Sequence, residues 1–315
     1  MAKKKKIPQI VKDIRNFKPQ EINWATQKII SYSQLSMFTE CPKKWSLQYR
    51  EGHKQFTSTI HTVFGSALHE VLQHYLDVMY EKSIVEADRI NTYDLFEEKL
   101  REEYTTQYKK NKNQHFSTPQ ELRQFFEEGI EIIRDFAKNK GKYFTKRGWW
   151  LVGCEVPIQV TPNPLKPNVI YNGFLDIVMY HEPTNTFKII DIKTSKNGWN
   201  DKTKKDELKQ FQLILYKKFF SEIFGVDEKN IEIEYFIVKR HLYEHEDFVI
   251  KRIQTFSPPS GKTKQKRAGD TLQTFIIEAF TKEGYKEVEH QPKENNNCKW
   301  CPFYKTHLCS LTFQK

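Results

Sequence analysis

The chain has 315 residues, a net charge of +11 and five cysteines, with 38% of its residues hydrophobic; a sizeable core is available, and the charge alone suits a polyanionic partner and plain solubility equally. No apolar run approaches the roughly 18 to 20 residues that a bilayer-spanning helix needs, and in MAKKKKIPQIVKD the residues Lys12 and Asp13 interrupt what would be the apolar part of a signal peptide. The expected setting is soluble and intracellular, with no membrane partner, and there the cysteines point to metal more than to disulfides.

Residues 1–30 read as a flexible basic arm, with Lys3 to Lys6 suited to a phosphate backbone. From 31 to 315 the pattern predicts a single domain. Its helical part covers about 31–148. A first helix is capped by Ser31 or Ser33, turns Leu35 and Phe38 inward and breaks at Pro42. A second covers about 62–82, where Phe64, Leu68, Leu72, Tyr75, Leu76 and Met79 have helical spacing. Two more cover about 93–110 and 118–140.

At Trp149 the period changes to two, opening a sheet core of about 149–256. In WWLVGCEVPIQV, Val152, Cys154, Val156 and Ile158 fall on one side, Glu155 and Gln159 on the other. Cys154 is thereby explained as a small buried hydrophobe. Strands follow at about 169–180 and 187–193, then a helix at about 202–224, and the strands IEIEYFIVKRH and EDFVIKRIQTF. SPPSGKTKQKRAGD reads as a mobile basic loop, and a helix of about 269–283 leads into a cysteine-rich tail. The order predicts an α/β fold, a mixed central sheet flanked by helices, with no linker and no internal repeat.

The stretch YNGFLDIVMY-HEPTNT-FKIIDIK reads as a hairpin turning at Pro183, Thr184 and Asn185. A turn centred on Pro183 and Thr184 sets Asp176 directly opposite Asp191. Opposed side chains stand only about 4.5–5.5 Å apart, and like charges there repel. A divalent cation with a preference for oxygen would turn that repulsion into shared coordination. Lys193 follows two residues on, on the same strand face. Glu155 is placed to join the metal shell or to pair with a lysine at the rim. His69 sits on an apolar helical stripe one turn after Gly65, where a missing side chain permits close approach to the sheet. Gln212 and Tyr216, four apart, share a helix face and are suited to a phosphate or to the lysine.

Taken together, GSALHE, the Glu155 strand, GFLD, DIK and QLILY resemble, in order, the motifs of the RecB-like branch of the PD-(D/E)XK nuclease superfamily, over roughly residues 31–309. The resemblance implies a restriction-endonuclease-like core and metal-dependent hydrolysis of DNA. It implies His69, Asp176, Asp191 and the Ile192 carbonyl as ligands of Mg²⁺ or Mn²⁺, and Glu155 as an accessory ligand. Lys193 would position the attacking water, and Gln212 and Tyr216 would complete the catalytic set. ECPKKW and CKWCPFYKTHLC are similar to the iron–sulfur nucleases of this branch, the AddB nuclease domain and the RecB-like nucleases associated with CRISPR among them. Cys41, Cys298, Cys301 and Cys309 would then hold a [4Fe–4S] cluster, and four thiolates suit Zn²⁺ as well. The C-x7-C spacing before Cys309 is longer than the family's. The expected function is an exonuclease of DNA recombination, repair or viral DNA processing. A catalytically silent DNA-binding subunit and an endonuclease are the alternatives. No helicase motif is visible, so unwinding would fall to a helicase or recombination partner.

Overall fold

The structure, a computed structural model, describes residues 6–53, 56, 58–242, 250–309 and 311. Its elements run α1 (Gln9–Arg15), β1 (Lys28–Ile30), α2 (Tyr32–Glu40), α3 (Pro42–Trp45), a π-helical turn (Ser46–Arg50), α4 (Ile60–Glu81), α5 (Ile84–Asp88), α6 (Thr92–Lys110) and α7 (Pro119–Asn139). They continue with β2 (Trp149–Val160), β3 (Val169–His181), β4 (Thr186–Ser195), α8 (Asp201–Lys205), α9 (Glu207–Phe224), β5 (Ile231–Lys239), β6 (Ile253–Phe256) and α10 (Lys262–Ala279). The expected mixed sheet flanked by helices is what forms, with a largely helical first half. The chain packs as two compact units, one of Met1–Lys18, Ser58–Val156 and Phe174–Pro259, the other of Pro19–Thr57, Pro157–Gly173 and Ser260–Lys315.

In the first unit β3 pairs antiparallel with β4, from Ile177 opposite Ile190 to His181 opposite Thr186. The turn between them runs through Glu182–Thr184 and closes on Asn185 in the left-handed region, φ 50°, a conformation asparagine tolerates. β4 lies parallel to β5, with Asp191 beside Tyr235 and Lys193 beside Ile237, and β5 antiparallel to β6. One sheet face is covered by α4, α6 and α7, whose Phe64, Leu68, Leu72, Phe96, Ile133 and Phe136 form one core with Ile190, Ile192, Phe236 and Val238. On α9, Phe220 packs against Phe187 of β4, ring centroids 5.3 Å apart.

In the second unit β1 runs parallel to the first residues of β3, Lys28 beside Val169. Trp45 is fully buried within Phe38, Phe275, Phe280, Tyr285 and His290. Its indole N–H donates to Gln34 Oε1 at 3.2 Å. The first helix ends just before Pro42, as expected: Cys41 is extended, φ −158° and ψ 102°, the region that a following proline favours. Pro42 then takes the first position of a new helix, α3, where its missing N–H costs nothing.

Several expectations are corrected. The part of residues 1–30 from 6 onward is not a flexible arm. α1 buries Val11 and Ile14, Arg15 donates to the carbonyls of Leu151 and Val152 at 2.6 and 3.0 Å, and β1 joins the sheet. The expectation for Lys3 to Lys5 lies outside the described residues. From Lys262 on, the basic loop is instead the start of α10, whose buried stripe of Ala268, Leu272, Phe275, Ile276 and Ala279 begins near the loop's end, while residues 257–261 stay irregular. The helix of about 202–224 is two, since Asp206 leaves helical geometry and its Oδ1 caps α9 through the N–H groups of Leu208 and Lys209. The last strand shortens to β6, and residues 246–249 of its expected span lie outside the described residues.

Candidate active site

The register of β3 and β4 brings the first unit's acidic side chains together. Continuing the ladder one step beyond Ile177 and Ile190 sets Asp176 level with Asp191, as the turn residues predict. At this end Asp176 Oδ2 accepts the backbone N–H of Ile192 at 2.7 Å. Asp191 is 2% exposed. Lys193 Nζ pairs with its Oδ2 at 2.8 Å, so an ammonium balances the charge of this buried carboxylate.

Helix α4 supplies the other wall. Gly65, His69 and Gln73 recur every four residues and therefore share one face. A Cβ on Gly65 would lie 3.4 Å from Thr194 Oγ1 of β4, so the helix does come close to the sheet, with room left for one methyl group. His69 Nδ1 is 3.6 Å from Asp176 Oδ2. Burial, and then the charge of Lys193, lower the imidazole pKa to about 4, against the pull of the Ile192 backbone. The ring is therefore neutral at neutral pH, the state that binds metals.

The charges of the site oppose one another. Burial holds Asp176 well above the usual carboxylate range, and the Asp191 charge adds to it, while Lys193 and the Ile192 N–H work the other way. Burial raises Asp191 too, against Lys193. For Lys193, burial works against the ammonium, but Asp191 and Asp176 outweigh it and raise the pKa. This lysine is a fixed cation rather than a proton acceptor.

Two further elements reach the same place. Glu155 of β2 is exposed and has φ 51°, a left-handed conformation in the middle of a strand. On α9, Gln212 Nε2 donates to Tyr216 Oη at 3.3 Å. Burial raises the Tyr216 pKa against that bond, and Asp191, Asp176 and Glu155 raise it further. The field of three carboxylates at this phenol places α9 at the same site. Sequence reasoning missed Gln73, which is buried on α4 and donates to Glu155 Oε1 at 2.7 Å and to the Asp176 carbonyl at 2.9 Å. Its signal was a polar residue inside an apolar stripe, one turn after His69.

Among the described residues, no three His, Cys, Asp or Glu side chains are grouped closely enough to hold a metal ion as they stand. The donor set nevertheless fits a hard divalent cation. Asp176 resists ionising beside the buried Asp191, and His69 is neutral; a shared cation would relieve the repulsion between the two carboxylates and suit the neutral imidazole.

The cysteines belong to the second unit. Cys41, Cys298, Cys301 and Cys309 are free and line one small cavity with Lys44, Asn295 and Tyr304. Asn295 Nδ2 donates to the Glu40 carbonyl at 3.0 Å, and its backbone N–H to Cys298 Sγ at 3.4 Å. Burial raises the Cys301 thiol, against Phe303 and Lys44. Cys154 stands apart in β2, its thiol pushed up by burial and by Asp77.

Among solved structures the chain is similar to the crystal structure of a candidate exonuclease from Eubacterium rectale, with 11% identity and a TM-score of 0.49, over 91% of this chain and 93% of that chain. No curated protein matches it. No described helix is long and apolar enough to cross a membrane. A model of the PD-(D/E)XK nuclease superfamily matches residues 29–306, a span that holds all the acidic, lysine and histidine side chains just described, and the chain belongs to that superfamily.

Proposed function

We propose that this nuclease is a Mg²⁺- or Mn²⁺-dependent deoxyribonuclease of the RecB-like branch, acting inside the cell as an exonuclease in DNA recombination, repair or viral DNA processing. The observation that supports it is the pair of carboxylates, half-buried Asp176 and buried Asp191, set level by the β3–β4 register with Lys193 2.8 Å from the second of them.

His69, Asp176, Asp191 and the Ile192 carbonyl would hold the metal, with Glu155 as an accessory ligand. When bound, the ion acidifies water and offsets charge on the phosphate. The chain's own groups do the rest. Lys193, kept charged by its two carboxylates, orients water through its N–H donors and stabilises negative charge as it grows on the phosphoryl oxygens. Gln212 and Tyr216 offer neutral donors to a phosphate oxygen. Burial of the carboxylates keeps bulk water from screening these interactions.

End-labelled linear DNA and covalently closed circular DNA, each incubated with Mg²⁺, Mn²⁺ or EDTA, test the reading. Release of labelled nucleotides from the linear substrate with either metal, none in EDTA, and an intact circle are expected. Opened circles would identify an endonuclease, and DNA binding without cleavage a silent subunit.

The second unit's cysteines are proposed to bind a [4Fe–4S] cluster, with Zn²⁺ the competing occupant, because four thiols surround one cavity. Iron with acid-labile sulfide in the purified protein is the expected result. One zinc without sulfide would replace the cluster by a zinc clip, and no metal would end both.

A further inference from the structure

Gln73 has a place in the site that the reaction chemistry leaves unexplained. It is 7% exposed, in a helix whose other buried residues are all apolar apart from the Tyr75 hydroxyl. Its carboxamide nitrogen has two hydrogens and is within reach of two acceptors, Glu155 Oε1 at 2.7 Å and the backbone carbonyl of Asp176 at 2.9 Å. One neutral group thus ties the flank of β2 to the β3 residue that bears a central carboxylate.

The strand it ties is locally strained. Glu155 is not glycine, yet its φ is 51°, a conformation that persists in ordinary side chains only where the surroundings hold it. A left-handed residue inside a strand re-aims its side chain, and such irregularities gather beside active sites. The Gln73 bond fixes where the re-aimed carboxylate points. The choice of side chain follows from charge. Glutamate at this position would present one more carboxylate to Glu155, Asp176 and Asp191, and methionine would fill the space without a donor.

We propose that Gln73 is a positioning residue, whose carboxamide locks the Glu155 carboxylate to the Asp176 backbone so that Glu155, Asp176 and Asp191 present their oxygens to one divalent cation. This rests on the metal-dependent reading of the site. Residues that orient metal ligands typically change metal affinity by 10–100-fold when removed.

The test measures Mn²⁺ binding to the whole protein by calorimetry without DNA, alongside cleavage. Gln73→Met is expected to weaken Mn²⁺ binding by about 10-fold or more. It should raise the Mn²⁺ concentration for half-maximal cleavage equally, while kcat at saturating Mn²⁺ stays within a few-fold and KM for DNA is unchanged. In a Glu155→Ala background the same substitution is expected to have almost no effect on Mn²⁺ affinity, which a general packing defect would not produce. Gln73→Asn, which keeps a buried carboxamide but withdraws it by one methylene, takes the place of the methionine variant if that variant does not fold, with the same losses expected. Wild-type Mn²⁺ affinity in a folded Gln73 variant, or equal losses with and without Glu155, overturns the proposal and leaves the nuclease reading intact. A wild-type protein that neither binds Mn²⁺ nor cleaves DNA overturns both.

Discussion

Asp176 and Asp191 oppose the fold that holds them. The folded-state pKa of each is raised, so ionising them removes stability as pH climbs through the folded value, and at neutral pH without metal the pair is a net burden. Asp176→Asn should therefore separate stability from chemistry. The amide oxygen can still accept the Ile192 N–H, and Lys193 keeps Asp191. In EDTA the variant is expected to melt a few degrees above wild type, at about 2–4 °C per kcal/mol for a protein of this size. Mg²⁺ should raise the melting temperature of wild type only, and cleavage should fall by roughly 100-fold or more. A lower melting point in EDTA would show that the pair is not repulsive. His69 acts with the opposite sign. Its folded pKa is depressed to about 4, so its contribution is complete above about pH 6.5 and disappears as pH falls through the folded value, amounting to about 3 kcal/mol across that window. Denaturant unfolding in EDTA at pH 7 and pH 4.5 should show a steeper loss for wild type than for His69→Gln, and parallel losses would rule the linkage out.

At the scale of elements, two glycines in helices make opposite predictions. On α4, Gly65→Ala meets only Thr194 Oγ1 at 3.4 Å, and alanine is the better helix former by about 1 kcal/mol, so the substitution should be neutral or stabilising with activity kept. On α7, a Cβ at Gly129 would lie 2.2 Å from a ring carbon of Phe96, and Gly129→Ala should destabilise by about 1–3 kcal/mol. Urea unfolding of both variants checks the pair, and equal effects would refute the packing account. The same scale shows what the sequence could reveal. The hairpin register was readable because Pro183, Thr184 and Asn185 fix the turn, and a period of two then fixes every facing pair. The first turns of α10 were hidden because Lys262, Lys264, Lys266 and Arg267 precede an apolar stripe that starts only at Ala268. The twist at Glu155 left no trace, since a left-handed residue is normally announced by glycine or asparagine.

For the whole molecule, a charge of +11 predicts strong salt dependence of DNA binding. The cations of α10 are held on a helix rather than on a loop. Neutralising Lys262, Lys264 and Arg267 together should weaken binding alike for all DNA sequences and flatten the salt slope by roughly 0.9 per lost phosphate contact. An unchanged slope in the triple variant would place the phosphate path elsewhere. The division into two units had no signature in composition, because each is assembled from segments separated in sequence, and a boundary crossed several times by the chain needs no linker.

The aromatic cage around Trp45 has a consequence for how the protein is made. Cys41 and Trp45 emerge from the ribosome well before Phe275, Phe280, Tyr285, Cys298, Cys301 and Cys309. The whole stretch between them is therefore translated before the second unit can close. Until then a large indole and a free thiol wait without their final neighbours, available to chaperones and oxidants alike. The time taken to translate the intervening stretch is therefore a lower bound on that exposure.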